Sequence, residues 1–345
     1  MTVPFDAFLA ADPQPRHPAV HALADEEKRP MKRREVEFRS ENPAEMIRAD
    51  LYTPDTGTGP WPIVVMGGGW CYVKELTMPD YAQYFLPEGL AVLIFDYRCL
   101  GASDGEPRQH LDPWRQIADY RSAIDALWFR DEYAGIVDRE RIGIFGISYS
   151  GGHVLILGAL EGAINRRVKC IVSVVPVIDG FACSKLTHST LSFRALKALV
   201  DEDRRNRYFT GKHGYIPHSG DAKTEVVTWP HPETKEVFMK IKATTAPRHE
   251  HYSTIESVEH VWAYDVRPYL PRIVDTPTMM IVAEGDDLSQ WDMEIAAFNL
   301  IASSKKKLFV QPRSTHMSLY SNRSHLEIAA TEAAKWYRHW LVEPR

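Results

Sequence analysis

The chain has 345 residues, of which 44% are hydrophobic and 25% charged, and a formal net charge of −5. That balance belongs to a globular protein with a sizeable core. It argues against a nucleic-acid or anionic-membrane partner, because the basic runs, Lys32-Arg33-Arg34 and Lys305-Lys306-Lys307, are short.

No apolar stretch approaches the roughly 18 residues of a membrane span. Residues 1–30 carry no apolar core of a secretion signal, so a cytoplasmic location is expected. The four cysteines, Cys71, Cys99, Cys170 and Cys183, have no metal-like spacing and read as reduced, structural thiols.

Residues 1–31 show no clear period and read as an N-terminal arm. Lys32–Ser40 and Met46–Thr53 alternate apolar and polar residues, which predicts an antiparallel strand pair. Trp61–Met66 reads as a buried strand that runs into Gly67-Gly68-Gly69-Trp70. Met78–Leu86 reads as a helix and Leu90–Tyr97 as the next buried strand. Asp112–Phe129 has helical apolar spacing, with Asp112 as N-cap and Pro113 at the first helical position. Arg141–Ile147 is again strand-like, Val154–Leu160 helical, and Val168–Ile178 strand-like. This rhythm predicts a mostly parallel, doubly wound sheet with helices on both faces.

From about Asp179 the rhythm stops. Residues 180–272 are charged, aromatic and His-containing, with helical pieces at Leu191–Val200 and His251–Tyr264. They read as a mainly helical cap inserted into a core made of 32–179 and 273–345. Strands return at Thr276–Ala283 and Lys307–Gln311, each followed by a helix (Trp291–Ala302 and Ser324–Val342).

The chemistry centres on Gly146-Ile147-Ser148-Tyr149-Ser150-Gly151-Gly152. A strand that turns sharply into a helix with Ser at the apex is a nucleophile elbow, and small residues two before and two after the Ser let the turn close. Gly146 and Ser150 hold those places. Ser150 is the weaker nucleophile candidate because it already lies inside the helix. A Ser nucleophile needs a base, and the base needs an orienting acid. In a doubly wound sheet such groups sit on loops past the carboxyl ends of strands. The two strands after the cap end in Glu284-Gly285-Asp286-Asp287 and in Ser314-Thr315-His316. The order Ser, acid, His assigns Ser148 as nucleophile, Asp286 as orienting acid and His316 as base, with Glu284 and Asp287 as competing carboxylates. An oxyanion hole requires the N–H after the nucleophile, that of Tyr149, and one from the loop after Trp61–Met66, that of Trp70 with Gly69 next.

These motifs resemble the α/β-hydrolase superfamily over about residues 32–180 and 270–345. Within it, G-I-S-Y-S-G-G and F-D-Y-R-C-L-G-A-S-D-G-E-P-R (Phe95 to Arg108) resemble the dienelactone-hydrolase-like and polyketide-transferase-like acyl hydrolases and the cocaine-esterase and X-Pro dipeptidyl-peptidase group. The resemblance implies a Ser-Asp-His triad at Ser148, Asp286 and His316, a backbone oxyanion hole at Tyr149 and Trp70, and no cofactor or metal. The chain departs from the family at Gly68-Gly69, where His-Gly is usual, and at Ser150, where Gly is usual. Arg98, Ser103, Asp104 and Glu106 are read as fixing the loop after Leu90–Tyr97. His249, His251 and His260 match no metal spacing and are read as a solvated cap face. Cys71 is read as a packing residue.

The sequence therefore predicts a serine hydrolase acting on an ester, thioester or lactone of a small-molecule substrate. A C–C bond (β-diketone-type) hydrolase or an acyltransferase would use the same triad, and an inactive hydrolase fold used for binding is the non-enzyme alternative. The aromatic insertion and the arm leave room for a homodimer.

Overall fold

The computed structural model describes residues 31–343, so the N-terminal arm expected over 1–31 lies almost wholly outside the described residues. The strands are β1 (Lys32–Arg39), β2 (Met46–Thr53), β3 (Trp61–Gly67), β4 (Ala91–Phe95), β5 (Val137–Ile147), β6 (Val168–Val174), β9 (Thr278–Ala283) and β10 (Lys306–Gln311). They form one eight-stranded sheet in the order β1-β2-β4-β3-β5-β6-β9-β10. β1 and β2 pair antiparallel, β2 pairs antiparallel with β4, and the rest pair parallel.

The central strands read as continuous apolar runs because both faces are covered. The period of two divides their side chains between two cores. Ile63, Val65, Ile142 and Ile144 pack on one side, against Ile117, Tyr120 and Leu127 of the helix α2 (Pro113–Phe129). Val64, Met66, Phe145 and Ile147 pack on the other. There they meet α1 (Met78–Phe85) and α9 (Arg323–Tyr337). Each fully buried Val, Ile or Phe contributes about 1.5–3 kcal/mol. Asp112 caps α2 as its sequence suggests: its side chain accepts from the N–H groups of Trp114 and Arg115, which would otherwise lack intrahelical partners.

Register brings the strand ends level. Gly67 of β3 lies opposite Gly146 of β5. Ile147 pairs with Val174 of β6, Val174 with Ile281 of β9, and Ala283 with Gln311 of β10. The loops after β3, β5, β9 and β10 therefore all open on one edge. The chain order reverses between β3 and β5, the crevice where such sheets hold ligands.

Residues 180–272 connect β6 to β9 and add no strand to this sheet. They hold α4 (Gly180–Thr187), α5 (Thr190–Thr210), α6 (Pro232–Thr244) and α7 (Glu256–Trp262), with a short antiparallel pair of β7 (Tyr215–Pro217) and β8 (Tyr252–Thr254). The structure differs here from the sequence reading. α5 runs ten residues beyond Val200, and the helix expected over His251–Tyr264 begins as β8. The pairing partner of β8 lies some 35 residues away, so local periodicity does not display it. After the insertion, α8 (Trp291–Leu300) follows β9. Among the described residues no helix is long and apolar enough to cross a membrane.

Candidate active site

Ser148 stands between the end of β5 and the start of α3 (Tyr149–Leu157), with φ +59° and ψ −122°. A side-chain-bearing residue keeps that conformation only when its surroundings impose it. They do. A Cβ on Gly146 would lie 2.1 Å from the Ser150 carbonyl oxygen, and one on Gly152 2.5 Å from the Val177 carbonyl oxygen. Ser150 Oγ is turned away from the crevice into the core, at 3.0 Å from Tyr97 Oη and 2.8 Å from Tyr120 Oη. Tyr120 Oη also accepts from Gly67 N–H (2.7 Å) and donates to the Phe145 carbonyl (2.6 Å), so one phenol ties β3, β5 and the elbow together. Neither tyrosine was singled out in the sequence.

The three residues nominated from chain order meet. His316 Nε2 is 3.1 Å from Ser148 Oγ, and His316 Nδ1 is 2.7 Å from Asp286 Oδ2. All three are buried. The other oxygen of Asp286 accepts from the N–H groups of Leu288 (2.9 Å) and Ser289 (2.7 Å), which fixes the carboxylate plane. Ser289 Oγ stands 3.3 Å from His316 Nδ1. Tyr320 stacks on the imidazole at 5.6 Å and 21°, four residues along the chain. The competing carboxylates do other work. Glu284 accepts from Arg313 N–H at 2.8 Å, and exposed Asp287 pairs with His231 of the inserted segment at 3.4 Å. Burial alone would lower the His231 pKa, but its hydrogen bond to Asp287 raises it.

The loop Gly67–Trp70 lies against the elbow. A Cβ on Gly69 would be 3.1 Å from Ser148 Cβ and 3.2 Å from the Ile147 carbonyl oxygen, so the glycine permits the approach. The Trp70 ring packs on that of Tyr149 at 5.1 Å. Tyr149 is the first residue of α3, where N–H groups have no intrahelical acceptor. Its phenol is held protonated by burial.

A pocket opens over Ser148 and His316. The core contributes Trp70, Tyr72, Tyr149, Leu288 and Tyr320, and the inserted segment contributes His218, Trp229, Thr234 and Phe238. The inserted residues carry no sequence motif, and only their placement reveals them. Three buried polar atoms of this lining lack a hydrogen-bond partner: Trp70 Nε1, Tyr149 Oη and His218 Nδ1. Burial, then the neighbouring His251, keeps His218 neutral.

The loop after β4 behaves as its sequence suggests. Ser103 Oγ donates to the Asp96 carbonyl and accepts from Arg48 N–H, Asp104 accepts from Met46 N–H, Glu106 from Arg108 N–H, and Arg98 pairs with Asp119. The reading of His249 and His251 as a solvated face is corrected. His249 is fully buried, and its Nδ1 lies 3.0 Å from the Cys71 carbonyl oxygen. Cys71 is a buried packing residue whose thiol pKa burial raises. Among the described residues one group, His110, His213 and Glu256, brings potential metal-donor atoms within 4.8 Å of one another. Arg207 binds the other oxygen of Glu256 at 2.6 Å, and its charge opposes a cation there. None of the three lines the pocket.

A family model described as X-Pro dipeptidyl-peptidase (S15 family) matches residues 45–318. A polyketide transferase of Aspergillus fumigatus is 29% identical over 309 residues, which cover 90% of this chain and 99% of that protein. A thiohydrolase of Aspergillus aculeatus is 27% identical over 274 residues, 78% of this chain and 82% of its own. Among solved structures, an α/β hydrolase from a Penicillium species superposes with a TM-score of 0.73 at 21% identity, covering 90% of this chain and all of the other.

Proposed function

The chain belongs to the X-Pro dipeptidyl-peptidase (S15) family and is a hydrolase of the α/β-hydrolase fold, and from that premise we propose that it is a serine hydrolase working through an acyl-enzyme. The observation that carries this reading is the unbroken line from Asp286 through His316 to Ser148, at 2.7 and 3.1 Å. Asp286 accepts from Nδ1–H of His316, which leaves the Nε2 lone pair free to take the Ser148 proton. Ser148 Oγ then attacks the substrate carbonyl. The N–H groups of Tyr149 and Trp70 receive the oxyanion, His316 returns the proton to the leaving group, and water resolves the acyl-enzyme.

The substrate class is an ester, thioester or lactone. The relatives named thiohydrolase and polyketide transferase favour the thioester. The pocket lining is aromatic and aliphatic with no carboxylate among its described residues, which suits an uncharged acyl group better than the ammonium of a dipeptide. Its three unpartnered polar atoms favour an acyl chain that itself carries oxygen, because a buried group left unsatisfied costs about 1–3 kcal/mol. Residues 180–272 act as the cap that closes this pocket. With a nucleophile other than water the same site is an acyltransferase.

A fluorophosphonate probe tests the reading. Wild-type protein should label rapidly, and Ser148→Ala and His316→Ala should not; folded wild-type protein that stays unlabelled overturns it. A panel of p-nitrophenyl esters, acyl thioesters, lactones, β-diketones and an X-Pro p-nitroanilide then ranks the scissile bonds, and a preference for the anilide or a β-diketone would displace the ester and thioester class.

A further inference from the structure

The inserted segment hydrogen-bonds the loop after β3 at Cys71, immediately after Trp70. Cys71 has φ +57°, a left-handed conformation that a residue with a side chain keeps only when its surroundings hold it. Two hydrogen bonds from the inserted segment do so. His249 Nδ1–H donates to the Cys71 carbonyl at 3.0 Å, and the Cys71 thiol donates to the Tyr252 carbonyl at 3.3 Å.

His249 is itself held in one proton arrangement. A carbonyl can only accept, so the proton sits on Nδ1 and Nε2 is left as an acceptor. That nitrogen lies 3.2 Å from His251 Nδ1, which must then be the donor, and His251 Nε2 accepts from Ser219 Oγ at 2.8 Å. Phe238, a pocket wall, packs edge-on against His249 at 5.4 Å. On the other side of Trp70, Gly69 is pressed against Ser148 and Ile147. Trp70, proposed above as an oxyanion donor, is therefore flanked on one side by a residue packed on the elbow and on the other by a residue bonded to the inserted segment.

We propose that His249 is a positioning residue of the oxyanion site: by holding Cys71 in its left-handed conformation, it fixes the direction of the Trp70 N–H. This rests on the reading of Trp70 as an oxyanion donor in a Ser148-dependent hydrolase. It makes the segment that walls the pocket also the segment that sets transition-state stabilisation, so a substrate that shifts this segment changes kcat as well as KM.

Steady-state hydrolysis of p-nitrophenyl butyrate and inhibition by an alkyl boronic acid, which mimics the tetrahedral adduct, test this. His249→Ala should lower kcat about 10- to 100-fold, short of the 10²–10³-fold loss from deleting a donor outright. KM should change less than about threefold, and boronate affinity should fall in parallel with kcat. His249→Asn, whose amide N–H can stand where Nδ1–H stands, should recover most of the kcat, and His249→Gln, which imitates the Nε2 position, should not. Should His249→Ala fail to fold, the Asn and Gln variants carry the test, and adding Cys71→Gly to His249→Gln should restore part of the kcat, because glycine keeps the positive φ without the restraint. Full kcat in His249→Ala or in His249→Gln overturns the proposal, as does an equal loss in the Ala, Asn and Gln variants. Either result, with activity still abolished by Ser148→Ala, leaves the hydrolase reading standing. Wild-type protein that hydrolyses no ester and takes no label fails that reading instead.

Discussion

At the scale of single residues, the site depends on carboxyl groups whose surroundings differ sharply. Asp286 accepts two backbone N–H groups and the His316 imidazole. Asp286→Asn should therefore leave the fold intact but favour the wrong imidazole tautomer, lowering kcat by on the order of 10⁴. Steady-state kinetics on the ester checks this, and a loss under tenfold would remove Asp286 from its role. Glu294 is the opposite case. It is fully buried on α8, and neither carboxyl oxygen has a hydrogen-bond partner. Burial first, and then the nearby charge of Asp286, raise its pKa well above the ordinary range. The folded protein thus keeps a proton that the unfolded chain releases above about pH 4.3, and stability from this residue falls as pH rises beyond that point. Glu294→Gln, which cannot ionise, should gain stability over wild type between pH 5 and pH 8, as read by urea denaturation at both. A pH-independent difference would contradict the raised pKa.

At the scale of elements, the elbow is set by backbone contacts that leave no room for a side chain. A Cβ at position 146 would overlap the Ser150 carbonyl at 2.1 Å. Gly146→Ala should therefore cost about 3 kcal/mol or more and move Ser148 away from His316. Urea unfolding and fluorophosphonate labelling should both register the change. The helix α5 shows how an element can mislead when read alone. Its arginines suggest a basic surface, but Arg207 is bound by Asp203, Glu256 and Glu259, and Arg204 pairs with Glu259. The positive field is largely neutralised within the inserted segment.

At the scale of the whole molecule, the inserted segment shares a core with the sheet. Trp229, Val261, Tyr264 and Val266 belong to the same apolar cluster as Ile63, Ile144 and Leu155. Backbone bonds cross the boundary as well, from Thr254 N–H to the Gln109 carbonyl and from Val266 N–H to the Ile178 carbonyl. Leu111 N–H is received by buried Ser257 Oγ. Residues 180–272 should therefore unfold together with the sheet. Hydrogen exchange near the unfolding midpoint should open peptides from both regions with the same free energy, and early opening of 180–272 alone would show an independent unit.

The meeting of Ser148, Asp286 and His316 was legible from the chain because the signals that mark sheet strands and their ends are local. Apolar runs mark buried strands, small residues mark the elbow, and the groups that matter sit directly after strand ends, so their order along the chain is enough to nominate them. The Gly67–Trp70 loop was legible for the same reason. Residues of the inserted segment were not. His218, Trp229, Phe238 and His249 belong to no periodic pattern, and the bond from His249 to Cys71 joins positions 178 residues apart. Its strength comes from burial and from one fixed proton arrangement, which exist only after the two regions pack. The order of residues along the chain was enough to place Ser148, Asp286 and His316 at neighbouring strand ends. What lines the pocket over Ser148, and what holds the loop beside Trp70, emerged only from the folded chain, because those contacts depend on desolvation and on meetings between distant segments.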